Sequence, residues 1–536
     1  MRIAGYPSAV FAALRGSNQG RPTILATSDD ASDDLLAREA RRHGLTIFRG
    51  PLRDVLARYF LAAANLPDDC TVVRLTGDNV VPDGAFVEEL AREFMSGDAE
   101  YVGTDLLLSH MPYGLSGEAF SVAALRRAHA AALSPSDREH VGPWIRRNCR
   151  SGVFIPKAGE NEDFSHLRCT IDDEEDYERV LLLFDGVADP LQVSWTDLAR
   201  KLATLPGEPA FRVPCRVVSG LAHSEFTLGT AQLGMRYGVV NDSGKPSRSE
   251  AISIVRRAVA HGVTALDTAR TYEDAEAVLG DALVGAWGSR ANVITKLDLS
   301  GLPTWTSEAD VRSRVDESVN CSSRALRSTK LATLLLHRWD HHHLWNGAAW
   351  RRLLELKEDG RIAVLGASVY ETSEALEALQ DPAIHHLQIP VNVLDQRWKT
   401  AGVDRAIAHR PEITVHARSA LLQGILAHPS TRWPLVGDFD RANCGKRLSI
   451  FSHKFGRDSV ADLCLAYVRS LSWITSIVVG CDSMHQLEQN LRFFLRPKLS
   501  PSQCEELEKA IPTVPEVFLN PAKWDTAREP TAVYAR

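Results

Sequence analysis

Four residues in the C-terminal half have the types and spacing for acid–base chemistry: Asp267, Tyr272, Lys296 and His337. Val263–Leu266 is a short, largely apolar segment running into Asp267, and a polar break carrying Tyr272 follows. Ala275, Val278, Leu279 and Leu283 then fall at helical spacing. Lys296 stands at the end of an apolar run in VITKLD, and His337 does the same in LLLHRWD. A phenol with an ordinary pKa near 10 is a poor acid at neutral pH unless a nearby cation stabilises its phenolate. Lys296 is expected to supply that charge, Asp267 to hold Lys296, and His337 to orient a carbonyl oxygen or assist the proton transfer. Such a set suits protonation of a carbonyl oxygen as hydride reaches its carbon from a nicotinamide. Each residue alone has a plainer explanation as a capping acid, surface tyrosine, snorkelling lysine or buried histidine. Their gathering on three consecutive strand ends is what points to chemistry.

The elements that must position them follow a simple rhythm. Apolar runs occur at Phe226–Ala231, Thr264–Thr268, Asn292–Leu297, Leu331–His337, Ile362–Ser368, Leu387–Asn392, Ile413–Ser419 and Ser476–Gly480. Amphipathic segments separate most of them, among them Ser249–His261, Asp310–Leu326, Ala348–Asp359 and Ser459–Leu471. Alternation on this scale predicts a (β/α)8 TIM barrel over 225–536, with its active site at the carboxyl ends of the strands.

The N-terminal half, 1–205, alternates as well. Thr23–Thr27, Thr46–Arg49 and Thr71–Leu75 read as strands, and Asp33–His43 and Leu52–Ala64 as helices. The pattern predicts a Rossmann-like parallel sheet with helices on its faces. Asp78 lies just beyond one strand, and Asp172 and Asp173 end a second extended run, Leu167–Ile171. Two carboxylates from separate strand ends can hold Mg2+ beside nucleotide phosphates, and either acid alone suits a helix cap or turn. Between the halves, 206–224 carries prolines and glycines without sustained period and reads as a linker.

Composition narrows the class. A chain of 536 residues, 44% hydrophobic and 24% charged, has material for two or three soluble domains. A net charge of −7 makes no electrostatic case for nucleic acid or anionic membrane. Nine cysteines without a C-x-x-C pair argue against a disulfide scaffold or zinc site and favour a cytoplasmic setting. The opening MRIAGYPSAVFAALRG is too short in apolar run for a spanning helix and lacks the regions of a signal peptide. The run His341–His343 is expected in a surface loop, since adjacent histidines diverge in any regular element. Trp339, Trp345 and Trp398 are candidates for a substrate pocket or for packing.

Two families come into view on these motifs. FTLGTAQLGMRYG, ALDTARTYEDAEAVLGDAL, VITKLD, LLLHRWD, GRIAVLGASVY, LQIPVNVLDQR and SIVVGCDSMHQLEQNL resemble the aldo/keto reductases in order across Phe226–Phe494. The resemblance implies that Asp267, Tyr272, Lys296 and His337 form the catalytic tetrad, with Tyr272 the general acid. It implies NADP(H) at the barrel mouth, with Ser368 after the fifth strand and Gln388 and Asn392 meeting the nicotinamide carboxamide. Ser419, Leu421 and Gln423 would line the pyrophosphate, and Gly480, Ser483, Gln486 and Asn490 the adenosine end. Ser483–Gln486 is also a capping-box pattern. CDSMHQLEQN lacks the basic residue with which many relatives grip a 2′-phosphate, so NAD(H) stands beside NADP(H) as a possible cofactor.

In the first half, ATSDDASDD, FRGPLRDVLARY, RLTGDNVVPD, YGLSGEAFSVAALRRA, DREHVGPW and LRCTIDDEEDYERV resemble the cytidylyltransferase-type sugar nucleotidyltransferases. The nearest branch is the one named for spore-coat polysaccharide biosynthesis, related to CMP-Kdo and CMP-sialic acid synthetases. The likeness puts Asp78 and Asp172 on metal-binding acids. Nothing in Met1–Gly20 matches the family's R-x-x-S-x-R-L-P-G-K loop, and Ser116 stands where an acid is usual, though Glu118 remains. The expectation is a sheet lacking its first strand, with little or no nucleotidyl transfer, and Mg2+ only if that half is active. The whole then reads as a reductase of a sugar or sugar-derived carbonyl. The alternatives are a bifunctional CMP-sugar synthetase/reductase and a non-catalytic redox-sensing or scaffolding subunit.

Overall fold

The computed structural model describes residues 1–105, 108–157, 162–205, 211–239, 241 and 244–524. The chain divides into two compact units, Met1–Arg212 and Val213–Arg536.

In the second unit eight strands close into a barrel. They are β1 (Phe226–Gly229), β2 (Ala265–Asp267), β3 (Asn292–Leu297), β4 (Leu331–Leu336), β5 (Ile362–Ser368), β6 (His386–Pro390), β7 (Thr414–Arg418) and β8 (Ser476–Gly480). Every neighbouring pair is parallel, including the closing pair β8–β1, so all the carboxyl ends share one mouth. The strands read as near-continuous apolar runs because both their faces are covered. Helices Arg248–Ala260, Glu308–Ala325, Ala348–Glu358 and Val460–Ser470 return the chain, within two residues of their expected bounds.

The expected linker is only partly irregular. Residues 206–210 lie outside the described residues, while Cys215–Val218 and Leu221–Ser224 form an antiparallel hairpin. Its two turn residues, Ser219 and Gly220, both have positive φ (50° and 77°), as a tight hairpin turn requires. Arg216 ties this hairpin to the barrel, donating to Glu225 at 3.0 Å and to the Leu471 carbonyl at 3.2 Å. Buried Arg469 reaches the other oxygen of Glu225 at 2.9 Å.

In the first unit Ile24–Ser28 pairs in parallel with Thr46–Gly50. A separate mixed sheet runs Thr71–Arg74, Glu118–Ser121, Tyr101–Thr104, Ser151–Phe154, and Glu118–Ser121 is antiparallel to both neighbours. The two sheets are not hydrogen-bonded to each other, so Ile24–Ser28 and Thr71–Arg74 each have a ladder on one side only. Leu167–Ile171, expected to be extended, makes only the isolated bridges Asn79↔Thr170 and Tyr113↔Arg168. Arg15 binds the unit together from inside, donating to the carbonyls of Pro190 (2.6 Å), Val81 (2.8 Å) and Val193 (3.0 Å). No helix among the described residues is long and apolar enough to cross a membrane.

The barrel interior holds two fully buried imidazoles, His386 and His416, with ring centroids 4.4 Å apart. Thr227 and Ser476 face His416, and His223 and Lys296 are the charged or titratable groups acting on the pair. Burial first, then these neighbours, pushes His386 down to about 3 and His416 well below its ordinary value. The unfolded chain therefore takes up protons below about pH 6.5 that the folded barrel does not. Stability is whole above that pH and falls as pH drops from about 6.5 towards 3, by up to ~1.4 kcal/mol per pH unit for each imidazole. Urea unfolding between pH 7 and pH 5 is expected to show this slope, and His386→Gln to flatten it. Equal slopes in the two proteins would remove the imidazole as its source.

Candidate active site

The mouth of the barrel is organised by one buried ion pair. Asp267 closes β2 and Lys296 lies in β3, and the two strands are adjacent and parallel. The Lys296 ammonium donates to both Asp267 oxygens, at 2.8 and 2.9 Å, and to the Thr268 carbonyl at 2.8 Å. Gln388 on β6 adds a fourth contact, its amide Nε2 donating to Asp267 Oδ1 at 2.6 Å. The lysine side chain is 1% exposed, so these contacts replace its water entirely. Burial of this pair is tolerable only because the charges are mutual and their hydrogen bonds are filled.

Tyr272 and His337 stand around this pair. Lys296 Nζ is 5.2 Å from the Tyr272 ring centroid, and the Tyr272 and His337 rings meet edge to face at 6.4 Å. The Tyr272 turn is set by its own backbone, with Tyr272 N donating to Ala269 O at 3.0 Å and Glu273 in the left-handed region at φ 45°. Gly234 lets another segment press against it. A β-carbon there would lie 2.2 Å from the Tyr272 carbonyl oxygen and 2.5 Å from Ala275 N. Burial, then Asp267, drives the Tyr272 phenol above its ordinary pKa, while Arg418 pulls the other way. The phenol is thus held protonated. The lowering expected from Lys296 does not prevail: burial and Asp267 outweigh every lowering influence, of which Arg418 is the one that acts on the phenol. Burial, followed by Lys296, Arg418 and His341, pushes His337 down to about 3, so its imidazole is neutral at neutral pH.

The remaining mouth residues come from later strand ends. Ser368 ends β5 beside Gln388 of β6, and Asn392 follows in the next loop. At the barrel mouth two buried amide atoms, Gln388 Oε1 and Asn392 Nδ2, have no hydrogen-bond partner among the described residues. Each is orphaned because the opposite end of its amide is used, Gln388 Nε2 on Asp267 and Asn392 Oδ1 on Leu394 N at 3.0 Å. Ser419, Leu421 and Gln423 form the turn after β7, with Ser419 and Gln423 left-handed at φ 60° and 53°. Gly480 ends β8. Ser483 caps helix Met484–Leu495 by accepting from Gln486 N at 3.4 Å, and Asn490 lies on that helix. The Gln486 side chain returns to Asp482 N at 3.1 Å rather than to Ser483, one residue off the expected box.

Sequence reasoning passed over Arg418, Tyr370 and Tyr237. Arg418 ends β7, stacks 4.1 Å from the Tyr370 ring and donates to the Val369 carbonyl at 3.0 Å. Tyr237 lies 6.5 Å from Tyr272, ring to ring. An arginine closing the apolar run TVHAR was the available signal. Trp339, Trp345 and Trp398 are all buried with their indole N–H groups on Glu377, the Pro303 carbonyl and Asp395 respectively. They pack.

In the first unit Asp78 and Asp172 do come together, lining one cavity of about 250 Å3 with Asn79, Thr104, Ser116 and Thr170. The donor set does not fit a metal centre as it stands. Asp172 is paired with Arg168, which also holds Asp176 at 2.7 Å. Ser116 accepts from Asn79 Nδ2 at 2.9 Å, and Glu118 is held by Arg74 at 2.7 Å and Tyr101 at 2.8 Å. Among the described residues no three His, Cys, Asp or Glu side chains are grouped to hold a metal ion.

Comparison with known proteins divides at the same place. The sequence profile described as the aldo/keto reductase family matches residues 225–512. A holo aldo-keto reductase of Bacillus halodurans superposes with a TM-score of 0.46 at 21% identity, covering 56% of this chain and 98% of that one. The chain is 28% identical to a spore coat polysaccharide biosynthesis protein of Bacillus subtilis over 34% of its own length and 75% of the relative's. A cytidylyltransferase of Leptospira borgpetersenii superposes with a TM-score of 0.34 at 23% identity, over 37% of this chain and 84% of that one.

Breaking the ion pair tests its place in the fold. Lys296→Met leaves the Asp267 carboxylate buried without its counter-charge, and is expected to lower the unfolding free energy by about 3–5 kcal/mol. Asp267→Asn combined with Lys296→Met should recover most of that loss in denaturant titrations. Equal losses in the single and double variants would show that the two charges are not coupled.

Proposed function

The chain belongs to the aldo/keto reductase family, and from that premise we propose that its barrel reduces a sugar or sugar-derived carbonyl with NADP(H), Tyr272 acting as the acid. Membership makes it an oxidoreductase using a nicotinamide cofactor. The observation that carries the finer reading is the buried Asp267–Lys296 pair with a protonated phenol beside it and a neutral imidazole facing the phenol. The cofactor's fit is supported by the two orphaned amide atoms. Gln388 Oε1 can accept from a carboxamide NH2, and Asn392 Nδ2 can donate to a carboxamide oxygen. A bound nicotinamide supplies the hydride.

The protein's own residues then have separate tasks. Tyr272 keeps its proton until a substrate oxygen gains negative charge, and then donates it from Oη. The Lys296 ammonium compensates the phenolate left behind, at a separation where a water-free site makes the attraction large. Asp267 and Gln388 keep Lys296 from turning away. His337, neutral, can hold the carbonyl oxygen by a hydrogen bond without competing for the proton. Ser368 is assigned to the nicotinamide end, Ser419, Leu421 and Gln423 to the pyrophosphate, and Gly480, Ser483, Gln486 and Asn490 to the adenosine end. The start of helix Met484–Leu495 favours an anion there. NAD(H) is the alternative cofactor, since CDSMHQLEQN brings no cation to a 2′-phosphate.

The sugar assignment is supported by the first unit's likeness to a polysaccharide biosynthesis protein. That unit is read as not transferring nucleotides, given the commitments of Asp172 and Glu118. Its shared acid-lined cavity favours one second reading, a CMP-sugar synthetase joined to the reductase, which pyrophosphate release from CTP with Mg2+ would reveal. A non-catalytic redox-sensing subunit is the third, favoured if cofactor binds and no substrate turns over.

Tyr272→Phe is expected to cut turnover by roughly 10²–10⁴-fold while NADPH fluorescence titration reports little change in cofactor binding. Equal rates in the two proteins exclude Tyr272 as the acid. No oxidation of NADPH across a panel of aldehydes, ketones and keto-sugars would sink the reductase reading itself.

A further inference from the structure

Arg418 is a cation at the barrel mouth that no acid answers. The other cations on this face are paired: Lys296 with Asp267, Arg270 with Glu276, Arg338 with Asp340 and Arg397 with Asp395. Among the described residues no carboxylate is paired with Arg418, and its one hydrogen bond runs from Nη2 to the Val369 carbonyl at 3.0 Å. The residue is half-buried, yet Nε and Nη1 are not sealed in protein, so their N–H groups stay available to a ligand. A charge partly withdrawn from water without a counter-charge is costly to keep.

Its place in the ring is central. Arg418 closes β7 opposite Pro390 of β6, and its side chain reaches past β6 to the segment after β5. There the guanidinium stacks 4.1 Å from the Tyr370 ring, so one face and one edge are fixed. Its charge acts on Tyr272 after β2, on His337 after β4 and on Tyr237 after β1. A cation felt by the proton donor and by the imidazole beside it, from three sides of the barrel, stands next to the space where a carbonyl would react.

We propose that Arg418 receives a carboxylate of the substrate, so that the barrel reduces an acidic carbonyl compound, a keto or aldehydo acid such as a sugar acid, in preference to a neutral one. This rests on the reductase reading above and narrows its substrate. A guanidinium presents its N–H groups in a planar fork that matches the two oxygens of a carboxylate, and stacking on Tyr370 has already oriented the plane. The carboxylate takes no part in the bond changes. Hydride goes to the carbonyl carbon and the Tyr272 proton to its oxygen, and the product is a hydroxy acid of the same charge. Holding the acid end fixes where the carbonyl lies against the phenol, which is how binding away from the reacting atoms aids the reaction. The cofactor is the other source of negative charge. Its pyrophosphate is assigned to the turn after β7 and the helix after β8, whereas the Arg418 guanidinium is turned the opposite way, towards β5.

Two matched pairs of probes differ in this charge: 4-carboxybenzaldehyde against methyl 4-formylbenzoate, and succinic semialdehyde against butanal. With NADPH, the full chain is expected to favour the acid of each pair in kcat/KM, chiefly through KM. Arg418→Met should reduce that preference by roughly 30–10³-fold. Arg418→Lys, which keeps the charge without the fork, should fall between. Binding is read apart from turnover in Tyr272→Phe loaded with NADPH, where 4-carboxybenzaldehyde should quench nicotinamide fluorescence and Arg418→Met should weaken that response by the same factor. NADPH affinity should stay as in the parent protein, which also shows that the variant is folded. A parent that treats both members of each pair alike, in turnover and in binding, overturns the proposal. So does a loss of NADPH affinity in Arg418→Met that matches the loss of acid affinity, since it gives the guanidinium to the cofactor. If no probe is reduced, the reductase reading falls by itself, and acid-selective binding lost in Arg418→Met still gives Arg418 its carboxylate.

Discussion

The barrel mouth depends on a charge pair removed from water. Lys296 and Asp267 are each costly to bury alone, and together they are acceptable only while β2 and β3 stay adjacent in this register. Asp267 is paired with Ile294, two residues before Lys296, and the long lysine stem spans that offset to reach the shorter carboxylate. Chemistry and architecture therefore share one constraint. The contacts that hold the ammonium in place also fix the two strands against each other, and the phenol and imidazole take their positions around it.

Tyr272 illustrates what the environment adds to a residue type. Its phenol is raised by burial and by Asp267, and lowered by Arg418. The donor role proposed for Tyr272 requires first that the phenol hold its proton, which this balance secures. His337 is treated in the opposite sense, since burial and neighbouring cations strip it of charge. Two titratable side chains whose rings touch edge to face are thus driven to opposite ends of the proton scale by the same cavity, a pattern expected where one group must give a proton and the other must not hold one.

Much of this was legible in the sequence, and the exceptions have physical causes. The eight barrel strands were visible because strands covered on both faces become continuous apolar runs. Asp267, Lys296 and His337 were visible because they interrupt such runs at a common end. Arg418 was not, because its meaning depends on ring closure, which brings the end of β7 within reach of Tyr272. Gly234 was missed for a related reason: its role is to let a distant turn approach, which no local pattern records. The histidine run lies, as expected, in a loop, one of successive short turns in which His341 is buried and His343 exposed. In the first unit, the strands Ile24–Ser28 and Thr71–Arg74 could be read as apolar runs, and each is paired on one side only. The commitment of Asp172 to Arg168 could not, since it needs the folded return of Asp176 onto Arg168.

Gln388 deserves a last consideration as a rotor. Its amide nitrogen is spoken for by Asp267, so the group has one permitted orientation and turning it half round would set oxygen against oxygen. The face it shows to the barrel lumen is therefore always the carbonyl. The polarity of that wall is inherited from an aspartate on the far side of the side chain, and any molecule that reads the wall is reading the charge state of the pair behind it.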